Sequence, residues 1–120
     1  MSPNPKRGKS NPGSGLRVEV VRSLCEIAQG NSGSQQEVHR LARALKDPRD
    51  RGLATEILYS SLRYAPAFLA ELEGFLKQGV EKTGKRMVWC LVVGMVQLRI
   101  LDRMPPHAAV GSAVDAARSL

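Results

Sequence analysis

Apolar residues recur at spacings of three and four along most of the chain, and glycine, proline and serine separate the recurring stretches. This periodicity is typical of amphipathic helices. It predicts helix one over 16–29, which Gly30 would end. Helix two follows over 34–45, where Ser34 and Glu37 have the spacing of a capping box.

Two prolines divide the next part of the pattern. Asp47 and Pro48 predict the start of helix three, because Asp accepts from unpaired amides and Pro has no N–H to leave unpaired. Helix three should end before Pro66, which would begin helix four, and Gly79 would close helix four. The predicted core side of helix four comprises Phe68, Leu69, Leu72, Phe75 and Leu76.

The last third of the chain predicts two more helices. Residues 87–101 are apolar on nearly every side, so this helix should be enclosed by its neighbours. A turn over 102–106 leads to helix six over 107–120. No stretch alternates as a strand would, so the pattern predicts an all-α domain of about six helices over 16–120.

Composition adds a basic character to this helical domain. Eighteen Lys and Arg against eleven Asp and Glu give a net charge of +7, which favours polyanionic partners, although basic charge can also serve solubility alone. Residues 1–15 are rich in Pro, Gly, Ser and Asn and predict a disordered basic tail. No secretory signal or membrane-length apolar run is evident, so we expect a cytoplasmic protein.

Candidate catalytic chemistry is sparse. Cys25 and Cys90 are far apart in the sequence, without a C-x-x-C pair, so the pattern indicates neither a metal site nor a disulfide framework. His107 has no recognisable nucleophile and carboxylate partners, and we expect it to pack or to cap helix six. With no phosphate-binding glycine loop either, we expect no cofactor and no enzymatic activity in this chain.

Two motifs carry a resemblance to a known family. The segment DRGLATEILYSSLR over 50–63 resembles the D-R-x-L-A-T-x-L-x-Y-G-x-L-R signature of the NusB-like domain in the Sun/Fmu family of 16S ribosomal RNA cytosine-C5 methyltransferases. The segment over 94–118, with Q-L-R-I-L-D-R-M-P-P-H-A-A-V, is similar to a second motif of that family. The resemblance covers 16–120 and implies the NusB fold, with two small antiparallel helical bundles packed across one another.

The chain departs from the family pattern in three places. Ser60 replaces a glycine, and Gly111 and Ser112 replace an Asn-Glu pair. The short helix that closes the second bundle in the family has no counterpart before the chain stops at Leu120, so we expect a fragment or an incomplete domain. The family's separate domain that binds S-adenosylmethionine has no counterpart either. The resemblance therefore implies the RNA-binding part of such an enzyme without its catalytic domain.

The resemblance also implies an RNA-binding surface around helix one. Arg17 and Arg22 would form this surface, with help from the basic tail. A second basic cluster surrounds the junction of helices two and three. The full set of candidate RNA-binding residues is Lys6, Arg7, Lys9, Arg17, Arg22, Arg40, Arg43, Arg49 and Arg51.

Three functions are compatible with these observations. The leading hypothesis is an RNA-binding module that positions a methyltransferase domain on 16S ribosomal RNA. The second is a freestanding transcription antitermination factor that binds a leader RNA together with ribosomal protein S10. The third is a helical protein-interaction remnant, in which an incomplete second bundle exposes apolar surface and permits a homodimer.

Overall fold

The computed structural model of the protein describes residues 14–101, and all regular structure in that range is α-helical. The helices are α1 (Ser14–Ala28), α2 (Ser34–Ala44), α3 (Pro48–Phe75), α4 (Gly79–Thr83) and α5 (Lys85–Arg99). The all-α prediction is confirmed. The predicted helix six, the turn before it and nearly all of the predicted basic tail lie outside the described residues.

Helix α5 lies at the centre and packs against both α1 and α3. Its side chains Val92, Val93 and Val96 are no more than 1% exposed. They share one core with apolar residues from α1 and α3, among them Val20, Val21, Leu24, Ile57 and Leu58. The prediction that the near-apolar helix is enclosed by its neighbours is confirmed for the stretch between Val88 and Gln97, whereas Met87 and Leu98 are exposed. Helix α5 begins and ends two residues earlier than predicted.

The prediction that Pro66 separates two helices is wrong. Helix α3 is continuous over 28 residues and contains Pro66 in its interior. The buried positions of α3 keep helical spacing across the proline: Ala54, Ile57, Leu58, Ser61, Ala65, Phe68 and Leu72. Packing of this continuous stripe outweighs the backbone hydrogen bond that proline removes.

The far end of α3 differs from its predicted packing. Phe75, assigned to the core side by periodicity, is 77% exposed. It is the last residue of α3, where Leu76 already has an extended backbone and caps the helix through its N–H to the Leu72 carbonyl. Because the helix ends at Phe75, the side chain of this residue lies in solvent and not in the core.

Local capping explains the other helix ends. Gly30, at φ 78°, ends α1 in a Schellman motif, in which Asn31 N donates to Glu26 O at 3.0 Å and Gly30 N donates to Ile27 O at 3.0 Å. The predicted start of α3 is confirmed, because Asp47 Oδ1 accepts from Arg49 N at 2.9 Å. These caps fix where α1 ends and where α3 begins.

The capping box predicted for α2 is shifted by one residue. Gly33, not Ser34, is the N-cap, and its N–H donates to Gln36 Oε1 at 3.0 Å. Glu37 is thereby released from the cap and faces α1, where it is buried. This buried carboxylate organises the arginine described below.

Candidate nucleic-acid interface

A cleft of about 890 Å³ lies between the second half of α1 and the turn that joins α4 to α5. Four basic side chains line it: Arg22, Arg40, Lys85 and Arg86. Glu26 is the acidic residue among its lining side chains. We call this feature the basic cleft, and its surplus of positive charge suits a polyanion.

The α4–α5 turn determines where two of these residues lie. Gly84 joins the two helices with φ 103°, a backbone conformation that residues other than glycine rarely adopt. Lys85 and Arg86 are consequently the first residues of α5, and no acidic residue is present in its first turn. The partial positive charge of the helix N-terminus adds to the two cationic side chains.

The rim of the cleft is accessible to solvent. The Arg22 side chain is 56% exposed, and its ion pair with Glu19 is long, at 3.3 Å between Nη1 and Oε2. Such an exposed pair contributes little and is easily exchanged for another anion. Lys85 and Arg86 are also exposed. Arg22 and Lys85 can therefore turn toward a phosphate while the fold stays intact, and Arg86 adds its positive charge to the same cleft.

Two buried thiols that line the cleft, those of Cys25 and Cys90, have shifted pKa values. Burial raises the pKa of Cys25, and the positive charges of Arg86 and Lys85 partly oppose this rise. Burial also raises the pKa of Cys90 to about 11, with a smaller contribution from Cys25. Both thiols are therefore neutral near pH 7, and neither is activated as a nucleophile.

Arg40 has a structural role within the same cleft. Its Nε donates to Glu37 Oε1 at 2.8 Å, and its Nη1 donates to Glu19 Oε1 at 2.7 Å. Its Nη2 donates to the Glu19 carbonyl at 2.9 Å and to Ser23 Oγ at 2.7 Å. The three hydrogen bonds to Glu19 and Ser23 tie α2 to α1, and the bond to Glu37 lies within α2, so the guanidinium of Arg40 is committed to the fold.

The prediction that Arg17 lies on the accessible face of the first helix is wrong. Arg17 is 1% exposed, and its Nε donates to Gln97 Oε1 of α5 at 3.0 Å. Burial lowers its pKa, which the negative charge of Asp50 partly opposes. Periodicity alone could not show this, because Leu16 and Val18 on either side are also buried.

The second predicted cluster is divided by the structure. Arg43 and Arg49 are exposed near the α2–α3 junction, as the sequence suggests, together with Lys46. Arg51 instead folds back, and its Nη1 donates to the carbonyls of Leu45 at 3.1 Å and Lys46 at 2.8 Å. Arg51 therefore satisfies the end of α2. Lys6, Arg7 and Lys9 lie outside the described residues.

Sequence reasoning missed Lys85 and Arg86. The sequence pattern predicts no helix between Gly79 and residue 87, whereas a single turn of helix, α4, occupies the start of that interval. The available signal was the Lys-Arg pair directly before an apolar helix that has no acidic residue in its first turn. Only folding shows that this pair faces Arg22.

Other kinds of site receive no support from residues 14–101. Within that range no group of three or more His, Cys, Asp or Glu side chains could hold a metal ion. Helices long and apolar enough to cross a membrane are likewise absent from it. Tyr64, one of two tyrosines that could stack on bases, lies against Phe68 with ring centroids 5.8 Å apart, so it packs within the protein.

Comparisons with known proteins agree on one family. The chain matches the NusB family over residues 15–120. It is 43% identical over 107 residues to a protein of Vibrio vulnificus and 32% identical over 104 residues to one of Xylella fastidiosa. Both are ribosomal RNA small subunit methyltransferase B, as is a relative in Xanthomonas campestris at 29% identity over 104 residues.

The extent of these matches is limited to one region. They cover 87–88% of this chain but only 24% of each relative. The matched part of the relatives is their N-terminal NusB-like region. No solved structure matches the chain.

Proposed function

The chain belongs to the NusB family, and we propose that it binds structured ribosomal RNA and holds it for modification by a methyltransferase domain. The basic cleft is the observation that carries this proposal. Arg22, Lys85 and Arg86 come from two helices and converge on one solvent-accessible hollow. Lys and Arg arranged in this way neutralise phosphates, which is the main source of affinity for RNA.

The relatives supply the type of RNA. Those with the matched region are named for methylating ribosomal RNA of the small subunit, and this chain corresponds to a quarter of such a protein. We therefore propose 16S ribosomal RNA as the ligand and the cytoplasm as the location. The chemistry of methyl transfer would belong to the methyltransferase domain, because the described residues contain no activated nucleophile.

The exposed residues outside the cleft have a supporting role in this proposal. Arg43, Lys46 and Arg49 would extend the positive surface along the α2–α3 junction. Lys6, Arg7 and Lys9 would add phosphate contacts from the N-terminal segment. Arg17, Arg40 and Arg51 are not included as RNA contacts, because their guanidinium groups bind other parts of the protein.

Fluorescence anisotropy with a labelled fragment of 16S ribosomal RNA tests the proposal. The decisive variant is Lys85→Glu/Arg86→Glu, which reverses two charges in the cleft. Acidic residues in the first turn of a helix are favourable, so α5 should tolerate the change. The matched control is Arg63→Glu/Lys77→Glu, which makes the same change in net charge at two exposed positions that do not line the cleft.

We expect the cleft variant to bind at least about tenfold more weakly than the control at low salt. The salt dependence should also fall, by about 0.7 in log–log slope for each lost phosphate contact to a single strand. Equal weakening by both double variants would show non-specific attraction and contradict the cleft as the site. Absence of wild-type binding even at low salt would refute RNA binding itself.

Two further measurements on the purified chain distinguish this proposal from the two alternative functions. Copurification of ribosomal protein S10 with the chain would support an antitermination role instead. A dimer in sedimentation, combined with no RNA affinity, would support a protein-interaction role.

A further inference from the structure

The basic cleft has a floor whose chemistry differs from that of its rim. We call the part lined by Met87, Cys25 and Cys90 the floor of the cleft, and the part lined by the cationic side chains its rim. Both cysteines are buried in the protein, whereas Met87 is 45% exposed. Three sulfur-bearing side chains therefore form a soft, weakly polar surface at the base of a positively charged hollow.

The size of the cleft exceeds what a phosphate alone would need. About 890 Å³ lies within the range of about 300–1,000 Å³ that is typical of pockets enclosing small organic ligands. A ligand that uses both rim and floor needs an anionic part and a flat, weakly polar part. A nucleotide has both.

We infer that the basic cleft holds one unpaired nucleotide of an RNA strand, with a backbone phosphate at Arg22, Lys85 and Arg86 and the base against Met87, Cys25 and Cys90. This inference rests on the proposed function and specifies which part of an RNA enters the site. Bases inside a duplex are stacked and paired, so only a bulged, looped or extruded base can enter.

Three further observations fit a nucleotide in this position. The thiols of Cys25 and Cys90 are neutral near pH 7, since burial raises both pKa values, and a neutral floor does not repel the RNA. Gln29 also lines the cleft, and its amide can donate to and accept from a base edge. Glu26 on the same wall disfavours a second phosphate there, which orients the nucleotide with its phosphate toward the α5 N-terminus.

The test uses two hairpin RNAs with the same stem, one fully paired and the other with a single bulged uridine. We expect the whole chain to bind the bulged hairpin at least about fivefold more tightly in fluorescence anisotropy. Met87→Ser should abolish this preference by lowering the affinity for the bulged hairpin to that for the paired hairpin. Leu98→Ser is the matched control on the same helix, because Leu98 is 47% exposed and does not line the cleft.

A crosslink gives a second measurement that does not depend on affinity. With 4-thiouridine at the bulge, we expect photocrosslinks on peptides that contain Cys25, Met87 or Cys90. Crosslinks confined to the α2–α3 junction, or a preference that survives Met87→Ser, would overturn the nucleotide site while leaving RNA binding in place. Failure of both hairpins to bind at low salt would instead refute the proposed function.

Discussion

Replacement of Arg40 by methionine tests whether this arginine holds the fold together. Methionine preserves most of the aliphatic stem but removes the guanidinium that joins α2 to α1. Four hydrogen bonds are lost: those to Glu37 Oε1, Glu19 Oε1, the Glu19 carbonyl and Ser23 Oγ. The largest consequence falls on Glu37, whose side chain is only 6% exposed and would lose its cationic partner.

The size of the effect follows from the surroundings of each bond. Hydrogen bonds to charged groups contribute about 1.5–3 kcal/mol each when buried. Solvent reaches Arg40, whose side chain is 32% exposed, and Glu19 keeps a second partner in Arg22, so the four contributions cannot be added in full. We expect the free energy of unfolding to fall by about 2–4 kcal/mol, most of it from the buried Glu37 carboxylate.

Urea denaturation followed by circular dichroism at pH 7 measures this loss. Arg43→Met is the control, because Arg43 lies on the same helix but is exposed, and it should change stability by less than about 0.5 kcal/mol. In the double variant Arg40→Met/Glu37→Gln the carboxylate is also removed, so the loss should be smaller than the sum of the single losses. Equal stability of Arg40→Met and Arg43→Met would show that the network does not stabilise the fold.

Three other changes test individual elements. Pro66→Ala should raise the free energy of unfolding by about 1–3 kcal/mol, since alanine restores a backbone donor inside α3; a loss in urea denaturation would show that packing needs the proline. Asp47→Ala should lower the free energy of unfolding by about 1 kcal/mol, because the N-cap hydrogen bond from Arg49 N is lost. Asp47→Asn should change it by only a few tenths of a kcal/mol. Equal losses for the two variants would contradict the cap. Burial alone would raise the pKa of Glu37. Its hydrogen bond and charge interaction with Arg40, together with hydrogen bonds from the hydroxyls of Ser32 and Ser23, instead hold that pKa below its ordinary value of 4.5. Its stabilising contribution is therefore present above pH 4.5 and lost as the pH falls through the folded-state pKa, so wild type and Glu37→Gln should converge in stability in acid.

Sequence periodicity was sufficient for the fold class because the buried stripes are long. The stripe of α3 and the nearly all-apolar α5 have no other placement than the interior. The same signal failed at Pro66, where the local preference of one residue was weaker than packing on both sides of it. It also failed at Phe75, because where a helix ends relative to its last apolar residue depends on the turn that follows.

The candidate site was less accessible to sequence reasoning because a count of charges does not distinguish exposed arginines from committed ones. Arg17, Arg22 and Arg40 occupy similar amphipathic helices, yet the first is buried and the third is fully engaged. What separates them is the position of acceptors on other helices, such as Gln97 on α5 and Glu19 on α1. Those distances exist only after folding.

The motif over 50–63 that carries the family resemblance is explained by the fold alone. Ala54 and Leu58 are fully buried, Thr55 Oγ1 donates to the Arg51 carbonyl at 2.8 Å, and Arg51 itself caps α2. The cleft residues Arg22, Lys85 and Arg86 all lie outside the motif. A motif made of packing and capping residues constrains the scaffold and leaves the side chains of the basic cleft free to change. A change at the start of α5 would therefore alter the charge of the cleft without disturbing the motif.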